Sequence, residues 1–438
     1  MPLFIVILGI LLLFILIAKF KLNAFITFII VSLFVGLAEG MEPLSVVDSI
    51  QKGIGSILGF LVIILGLGAM LGKLVADSGA AQRITTKLVD KFGKKNIQWA
   101  VVLTGFIVGI PMFYSVGFVI LVPLVFTIAA ATGLPLLYVG LPMLASLSVT
   151  HGYLPPHPAP TAIAATFNAD IGKTLLYGIV VAIPAIIVAG PLLSRTLKGI
   201  NATPLKEFIN PVILKEEEMP SMANSIISAL LPVILIAIAA LAEFALPDSF
   251  FLKKTLIFIG NPAIAMLISV LVAIYTLGLG RGKKMKEVMD SVGSAITGIT
   301  MVLLIIAGSG ALKQVLIDSG VSEYIGAMLQ ESSISPLILA WLIATVIRVC
   351  VGSATVAGLT AAGIVLPLTQ GTGVSPELMV LAIGSGSLML SHVNDSGFWL
   401  FKEYFNLSVK DTLKSWTVME TTVGVMGLLG VLIINVFI

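Results

Sequence analysis

Long apolar stretches alternate with short polar ones along the whole chain. A bilayer core needs about 20 apolar residues per helix. Ten stretches approach or exceed that length: 3–18, 23–40, 54–76, 136–167, 173–194, 222–246, 261–280, 293–317, 376–401 and 412–437. Two further stretches, 97–131 and 335–370, are too long for one helix. The pattern predicts an all-α integral membrane protein.

The two overlong stretches are each interrupted near the middle by small or helix-breaking residues. The first contains Gly109-Ile110-Pro111 and Gly117, and the second contains Gly352-Ser353-Ala354-Thr355. We interpret both stretches as re-entrant hairpins that enter and leave on the same side of the membrane. The alternative interpretation is a pair of short complete spans in each stretch.

The second half of the chain repeats features of the first half. Gly117 and His151 are followed 241 positions later by Gly358 and His392. Repeats of this length are typical of secondary transporters, whose sites lie where the two repeats meet. We predict repeat 1 at 1–197 (hairpin 97–131, broken helix 136–167), a linker at 198–221 and repeat 2 at 222–438 (hairpin 335–370, broken helix 376–401).

Lysine and arginine are distributed very unequally between the two predicted sides. If the hairpins return to their own side, eighteen of these residues lie on one side and four on the other. The positive side is cytoplasmic, so the linker is predicted in the cytoplasm and both termini outside. Each half then contains five spans. Because five is odd, the second half is inverted, which predicts an inverted repeat of two five-helix units.

The composition agrees with a chain that mostly faces lipid. Hydrophobic residues make up 58% and charged residues 11%, whereas soluble domains contain about 25% charged residues. A cleaved signal peptide is the alternative for 3–18, but Lys19 and Lys21 follow in place of a small-residue cleavage site. The single Cys350 excludes an intramolecular disulfide and a cysteine-based metal cluster. The sequence has no basic stretch interleaved with aromatic residues, so we predict no nucleic-acid partner.

Two predicted spans are broken by residues that do not continue an α-helix. Four prolines fall within 155–160, and the matching segment 391–397 contains an Asn, an Asp and a Gly. Unpaired backbone at membrane depth persists only where it lines a cavity or is buried in protein. Half-helix N-termini also attract anions. With the hairpin tips, the breaks predict a site for an anion with several hydroxyls, although each single break could be a structural kink.

Ionisable residues inside spans are costly and therefore mark functional candidates. His151, His392 and Asp395 lie in the breaks and are our candidates for a coupling proton. Arg348 has a forked cation that matches a carboxylate, with a structural ion pair to Asp395 as the alternative. The candidate substrate-binding residues are Tyr114, Ser115, Gly152, Tyr153, Arg348, Ser353, Thr355, Asn394 and Ser396. Helix capping and simple space filling are the alternatives for the serines and tyrosines.

The segment His151-Gly-Tyr-Leu-Pro-Pro-His-Pro-Ala-Pro160 resembles the hallmark of the gluconate permease family, a branch of the ion transporter superfamily. Pro155, Pro156 and His157 belong to this motif. The resemblance covers essentially the whole chain, including 109–114 and 392–399. It implies uptake of gluconate or a related sugar acid with protons across a bacterial inner membrane. It also implies a homodimer in which the hairpins and broken helices move against a scaffold. Family members also transport glycerate, idonate, fructuronate or D-serine.

Three other interpretations remain. A sodium-coupled carboxylate carrier of the same superfamily would bring Ser-Asn-Thr clusters to both hairpin tips, and only Ser353-Ala354-Thr355 comes close. A channel is possible, but hairpin tips buried from both sides favour alternating access. An intramembrane hydrolase is the third, but the chain has neither an HExxH nor a G-x-S-x-G pattern. We therefore predict a protein that is not an enzyme and needs no cofactor.

Overall fold

The structure is a computed structural model that describes residues 2–112, 114–197, 199–203, 214–247, 249–321, 335–369, 373–392 and 395–438. In the first half the helices are α1 Pro2–Phe14, α2 Ala24–Ala38, α3 Pro43–Asp77, α4 Ala80–Phe92, α5 Ile97–Gly109, α6 Tyr114–Thr132, α7 Leu136–Tyr153, α8 Pro158–Phe167 and α9 Ile171–Ile187. A π-turn and one helical turn extend α9 to Thr196.

In the second half the helices are α10 Met222–Ala245, α11 Lys253–Ile259, α12 Pro262–Ala273, α13 Met285–Asp318, α14 Pro336–Val351, α15 Ala354–Thr369, α16 Pro376–Gly386, α17 Ser396–Tyr404 and α18 Val418–Asn435. A short helix, Val409–Thr412, and a π-turn lead into α18. The regular structure of the described ranges is therefore helical, as the sequence predicts.

Five helical segments are long and apolar enough to cross a membrane in the part of the chain that the structure describes. They are Ile171–Thr196, Met222–Glu243, Pro262–Arg281, Ile299–Asp318 and Val409–Asn435. The pair Pro43–Gly59 and Leu61–Asp77, bent by 44°, would be a sixth. Phe4–Ile17 and Ala24–Ala38, which the sequence predicts as spans, are shorter apolar helices. The protein is thus a multi-pass membrane protein, and the inversion of its two halves remains a prediction.

The helices α3 and α13 are longer than the apolar stretches that predict them. They begin at Pro43 and Met285, about three and about two turns before the expected starts at 54 and 293. Hydropathy detects only the apolar part of a helix, whereas the backbone continues helically along an amphipathic extension. The starts are fixed by a proline in the first turn of α3 and by Glu287, which caps the backbone of Lys284 in α13. The two helices pack along each other over much of their length.

Both overlong stretches form helical pairs joined by short turns. The pair α5 and α6 turns at 110–113, of which Phe113 lies outside the described residues, and the pair α14 and α15 turns at Gly352-Ser353. Gly352 has φ +78°, a left-handed conformation that glycine adopts without the usual steric penalty. The helical pairs agree with the predicted hairpins, and their return to the same side of the membrane remains a prediction.

The two predicted broken helices are each divided into two helices. The first break is shorter than the sequence suggests: α7 continues through Tyr153, and α8 starts at Pro158. Pro158 and Pro160 lie in the first turn of α8, where a missing N–H costs no hydrogen bond. On either side of the second break, α16 ends at Gly386, and α17 begins at Ser396 with Asp395 as its N-cap.

The end of the linker is attached to α4. Arg83 donates from Nε to the Pro220 carbonyl at 2.8 Å and pairs with Glu216 at 2.8 Å. Hydrogen bonds from Lys87 and Arg83 hold the pKa of the Glu216 carboxyl below its usual value. The residues 204–213 of the predicted linker lie outside the described ranges. This attachment joins the start of the second half to the first half.

Candidate functional site

A cavity of about 320 Å³ lies where the tips of both helical pairs meet both broken helices and α18. It is lined by Tyr114, Ser148, His151, Pro158, Arg348, Gly352, Ser353, Ala354, Thr355, Leu388, Asp395, Gly397, Leu400, Trp416 and Glu420. Both halves of the chain therefore contribute to one site, from the segments in which the sequence interrupts its helices.

An ion pair occupies one side of the cavity. Arg348, near the end of α14, donates from Nη2 to Asp395, and its side chain is 3% exposed. Asp395 also accepts from the Ser391 hydroxyl and from the Gly397 N–H, the latter at 2.9 Å. The Nε and Nη1 groups of Arg348 have no hydrogen-bond partner among the described residues. Asp395 therefore accepts from only one of the three guanidinium nitrogens.

Aromatic rings line another part of the cavity. The ring of Tyr114 lies 6.0 Å from that of His151 and 6.0 Å from that of Trp416, measured between centroids. The Tyr114 hydroxyl and His151 Nδ1 are buried without a hydrogen-bond partner in the ranges described. Buried polar groups are normally paired. These unpaired groups, together with those of Arg348, make the cavity suited to a polar ligand.

The tip of the second helical pair contributes hydroxyl groups. Ser353 precedes α15, and its Oγ accepts from the Val356 N–H at 3.3 Å, which caps the helix. Thr355 lies two residues later and also lines the cavity. Both predicted residues therefore line the cavity. Ser353 also caps α15, which is the alternative role that the sequence analysis gave for the serines.

Several predicted residues support the site instead of lining it. Tyr153 is fully buried, and its hydroxyl donates to the Val423 carbonyl. Gly152 packs against Leu388. His157 donates from Nε2 to the Gly109 carbonyl at 2.8 Å, and it lies with Pro156 beside a smaller, separate cavity. The peptide bond between Pro155 and Pro156 is cis.

His392 does not reach the cavity. Its Nε2 donates to the Val349 carbonyl at 3.0 Å, which ties the second break to α14. His151 falls in the last turn of α7, whereas the matching His392 lies six residues beyond the end of α16. Equal positions in the repeat therefore occupy different local structures, because the two breaks begin at different points.

Three predicted residues lie wholly or partly outside the described part of the chain. Asn394 lies outside the described residues, and so do the side chains of Ser115 and Ser396. The backbones of the two serines belong to the first turns of α6 and α17. Their assignment as ligand-binding residues remains a prediction.

The structure adds cavity residues that the sequence analysis missed, foremost Glu420, Ser148 and Trp416. Glu420 is 2% exposed, and its carboxyl oxygens lie 2.7 and 2.8 Å from Ser148 Oγ. The signal was present, because Glu420 is an acidic residue inside the predicted span 412–437. Nothing in the local sequence of Ser148 or Trp416 distinguishes either from an ordinary helical residue.

The chemistry of the cavity favours an anion with hydroxyl groups. It offers a partly free guanidinium, hydroxyls at both helical-pair tips and apolar walls from Leu388 and Leu400. No group of three or more His, Cys, Asp or Glu side chains is arranged to hold a metal ion in the described part of the chain. These groups are compatible with a polar organic anion bound by hydrogen bonds and charge.

A second cavity, of about 430 Å³, lies between α3, α8 and α13. Its lining is mostly small residues, and Lys313 is the charged member. The Lys313 ammonium donates to the Thr166 carbonyl at 3.0 Å, near the C-terminal end of α8. A hydrogen bond thus links α13 to the second half of the first broken helix.

Comparisons with known proteins agree along the full length. A model of the GntP permease family matches residues 1–437. The chain is 56% identical to a "High-affinity gluconate transporter" of Escherichia coli K12 over the whole of both chains. It is 55% identical to the same organism's "Gnt-II system L-idonate transporter" over 99% of each chain. A gluconate permease of Bacillus subtilis is 49% identical over 99% of each chain.

The fold resembles that of two solved transporters. The YdaH transporter of Alcanivorax borkumensis superposes with a TM-score of 0.66 at 17% identity, over 94% of this chain and 97% of that one. MtrF of Neisseria gonorrhoeae gives a TM-score of 0.64 at 15% identity, over 96% of both chains. At this identity the likeness concerns the fold alone.

Proposed function

The chain belongs to the GntP family of permeases, and we propose that it takes up gluconate or a related sugar acid together with protons. Permeases are transporters and not enzymes, and this one is a multi-pass membrane protein. The observation that carries the proposal is full-length identity of 55–56% to a gluconate and an L-idonate transporter. We place the protein in a bacterial inner membrane with both termini outside, as its charge distribution predicts.

The cavity supports a substrate of this class. At about 320 Å³, it falls at the lower end of the usual range for small-molecule sites. A sugar acid has one carboxylate and several hydroxyls. In our proposal the carboxylate accepts a hydrogen bond from one of the two unpaired donors of Arg348, Nε or Nη1. Tyr114, Ser353 and Thr355 are assigned to the hydroxyls.

The remaining predicted residues receive supporting or coupling roles. Tyr153, Gly152 and His157 hold the broken helix α7–α8 in place through packing and backbone hydrogen bonds. Of the sequence-predicted proton carriers, His151 and Asp395 line the cavity. We assign the third, His392, to a supporting role, in which it holds the second break against α14.

We propose an elevator-type alternating-access mechanism in a homodimer. The tips and breaks that surround the cavity would move together as one group, with α3 and α13 in the stationary part. The close packing of α3 against α13 suits a stationary pair. Some contacts between the proposed moving part and these two helices are polar, such as the hydrogen bond from Lys313 to the Thr166 carbonyl. A hydrogen bond of this kind can be replaced by one to water when the two parts move.

Purified protein in liposomes tests the function directly. Vesicles loaded with unlabelled gluconate should take up labelled gluconate by counterflow, without any ion gradient. An inward proton gradient should then drive accumulation, whereas an inward sodium gradient should not. Idonate, glycerate, fructuronate and D-serine serve as competitors to define the substrate. Failure of counterflow with every compound would refute the proposed substrate class, and a strict sodium requirement would refute the ion.

Cysteine labelling tests the predicted orientation. In a Cys350→Ala background, single cysteines are placed at Lys173, in the first turn of α9, and at Ser221, the N-cap of α10; both positions are exposed. A membrane-impermeant maleimide applied to whole cells should label position 173 and spare position 221. Labelling of 221 should appear only after the membrane is permeabilised. The opposite pattern would reverse the topology.

A further inference from the structure

Glu420 places a carboxyl group in the wall of the central cavity, opposite Ser148 of α7. Both carboxyl oxygens lie within hydrogen-bond distance of the single Ser148 hydroxyl, at 2.7 and 2.8 Å. A serine hydroxyl has one proton to donate and can also accept. A carboxyl group that retains its own proton satisfies this geometry, because it can donate back to the serine oxygen.

Glu420 has no cationic partner among the described residues. Arg348 is the one cation of the cavity lining, and it pairs with Asp395. The titratable groups that face Glu420 from the surrounding elements are Tyr114 of α6, His151 and Tyr153 of α7, Arg348 of α14 and Asp395 before α17. Because the Arg348 and Asp395 charges offset each other, an ionised Glu420 would give the buried site a net negative charge, which is costly.

We propose that Glu420 binds the proton that accompanies the substrate, an assignment that rests on the proposed function. A sugar acid enters as an anion, so an ionised Glu420 would place a second negative charge beside it. Like charges in one site disfavour joint ionisation. The anion therefore binds well only when the Glu420 O–H bond is formed. The proton comes from the outer solution and leaves to the cytoplasm after the substrate does.

The other cavity candidates are less suited to this task. Asp395 is engaged by Arg348, by the Ser391 hydroxyl and by the N–H of Gly397. Protonation there would give up the ion pair with Arg348 and weaken the hydrogen bonds that the carboxylate accepts. A proton on His151 would give the empty cavity a net positive charge, and its Nδ1 has no hydrogen-bond partner among the described residues. Glu420 can gain or lose a proton while its hydrogen bond to Ser148 is retained.

The pH dependence of substrate binding tests the proposal. In the unmodified protein, gluconate affinity should fall about tenfold per pH unit above the pH at which Glu420 releases its proton. The variant Glu420→Gln keeps the shape and a hydrogen bond to Ser148. It should bind gluconate with a flat pH profile, retain counterflow and lose accumulation driven by a proton gradient. Asp411→Asn, at a half-buried carboxyl nine residues earlier that does not line the cavity, is the control and should behave as unmodified protein.

Infrared difference spectra between acidic and alkaline samples provide a readout independent of transport. The unmodified protein should show the C=O band of a buried protonated carboxyl, and Glu420→Gln should lack it. Persistence of the band, or of the pH-dependent affinity, in Glu420→Gln would overturn the proposal while leaving sugar acid transport intact. Failure of the unmodified protein in counterflow would instead refute the proposed function, and the spectra would still decide whether Glu420 holds a proton.

Discussion

Replacing Arg348 with glutamine should weaken gluconate binding at least about 100-fold, or roughly 3 kcal/mol, in protein that remains folded. The guanidinium is buried at the cavity, and two of its donor groups lack hydrogen-bond partners among the described residues. A charge-assisted hydrogen bond contributes about 1.5–3 kcal/mol, and the variant also removes the positive charge beside the substrate carboxylate. Isothermal titration calorimetry measures the change, and size-exclusion chromatography confirms the fold.

Lysine should not restore full affinity at this position. Its ammonium is a point charge on a flexible stem, whereas the guanidinium offers donors in a fixed plane to two acceptors at once. In Arg348→Lys the ammonium must be shared between Asp395 and the substrate. We expect an affinity between those of the unmodified protein and Arg348→Gln.

The double variant Arg348→Gln/Asp395→Asn separates two explanations of the loss. If Arg348 serves only to neutralise Asp395, removal of both charges should restore binding. If the guanidinium contacts the substrate, binding should remain lost. The asparagine oxygen can still accept from the Gly397 N–H, so the cap of α17 is retained. Restored binding in the double variant, or unchanged binding in Arg348→Gln, would make the arginine structural.

Replacing Gly53 with alanine should substantially destabilise the protein, although Gly53 lies outside the central cavity. A Cβ atom at this position would lie 2.2 Å from the Gly310 carbonyl oxygen and 2.8 Å from Gln314 Cβ. The close atom belongs to the backbone, so no side-chain rotation relieves the contact. Overpacking costs about 1–3 kcal/mol and sometimes more, and small residues are what allow membrane helices to approach this closely.

Gly55 supplies the matched control on the same helix. A Cβ atom there meets no atom within 4 Å, so Gly55→Ala should leave stability unchanged or raise it by about 0.5–1 kcal/mol through reduced backbone freedom. The thermal midpoints of the two variants in detergent give the comparison. Equal midpoints would show that α3 and α13 separate easily, and they would also weaken the assignment of this pair to the stationary part.

The interruptions in the apolar pattern predict where the cavity forms. Glycine, serine and proline disrupt helices by local rules, so the tips at Ser353 and Thr355 and the break after His151 follow from the sequence. The break boundaries do not follow so closely, since prolines such as Pro158 are compatible with a first helical turn. Local chemistry therefore locates a break to within a few residues only.

The orientation of residues within continuous helices is less accessible to sequence reasoning. Glu420 lies in an apolar helix that packs on protein along one face, and pattern alone does not single out its neighbours. Its contact with Ser148 joins positions 272 residues apart. The ion pair of Arg348 with Asp395 could be named in advance as an alternative. That two of the guanidinium donors remain unpaired is visible only once the surrounding elements are in place.

Trp416 gives the cavity a built-in optical reporter. Its ring lies beside those of Tyr114 and Phe401, and the chain has four tryptophans in all. Trp99 and Trp399 are exposed at the periphery, and Trp341 donates to the Gly424 carbonyl. A variant with phenylalanine at those three positions would fluoresce from the binding cavity alone. Occupancy could then be followed in real time on unlabelled protein, with any sugar acid and at any pH.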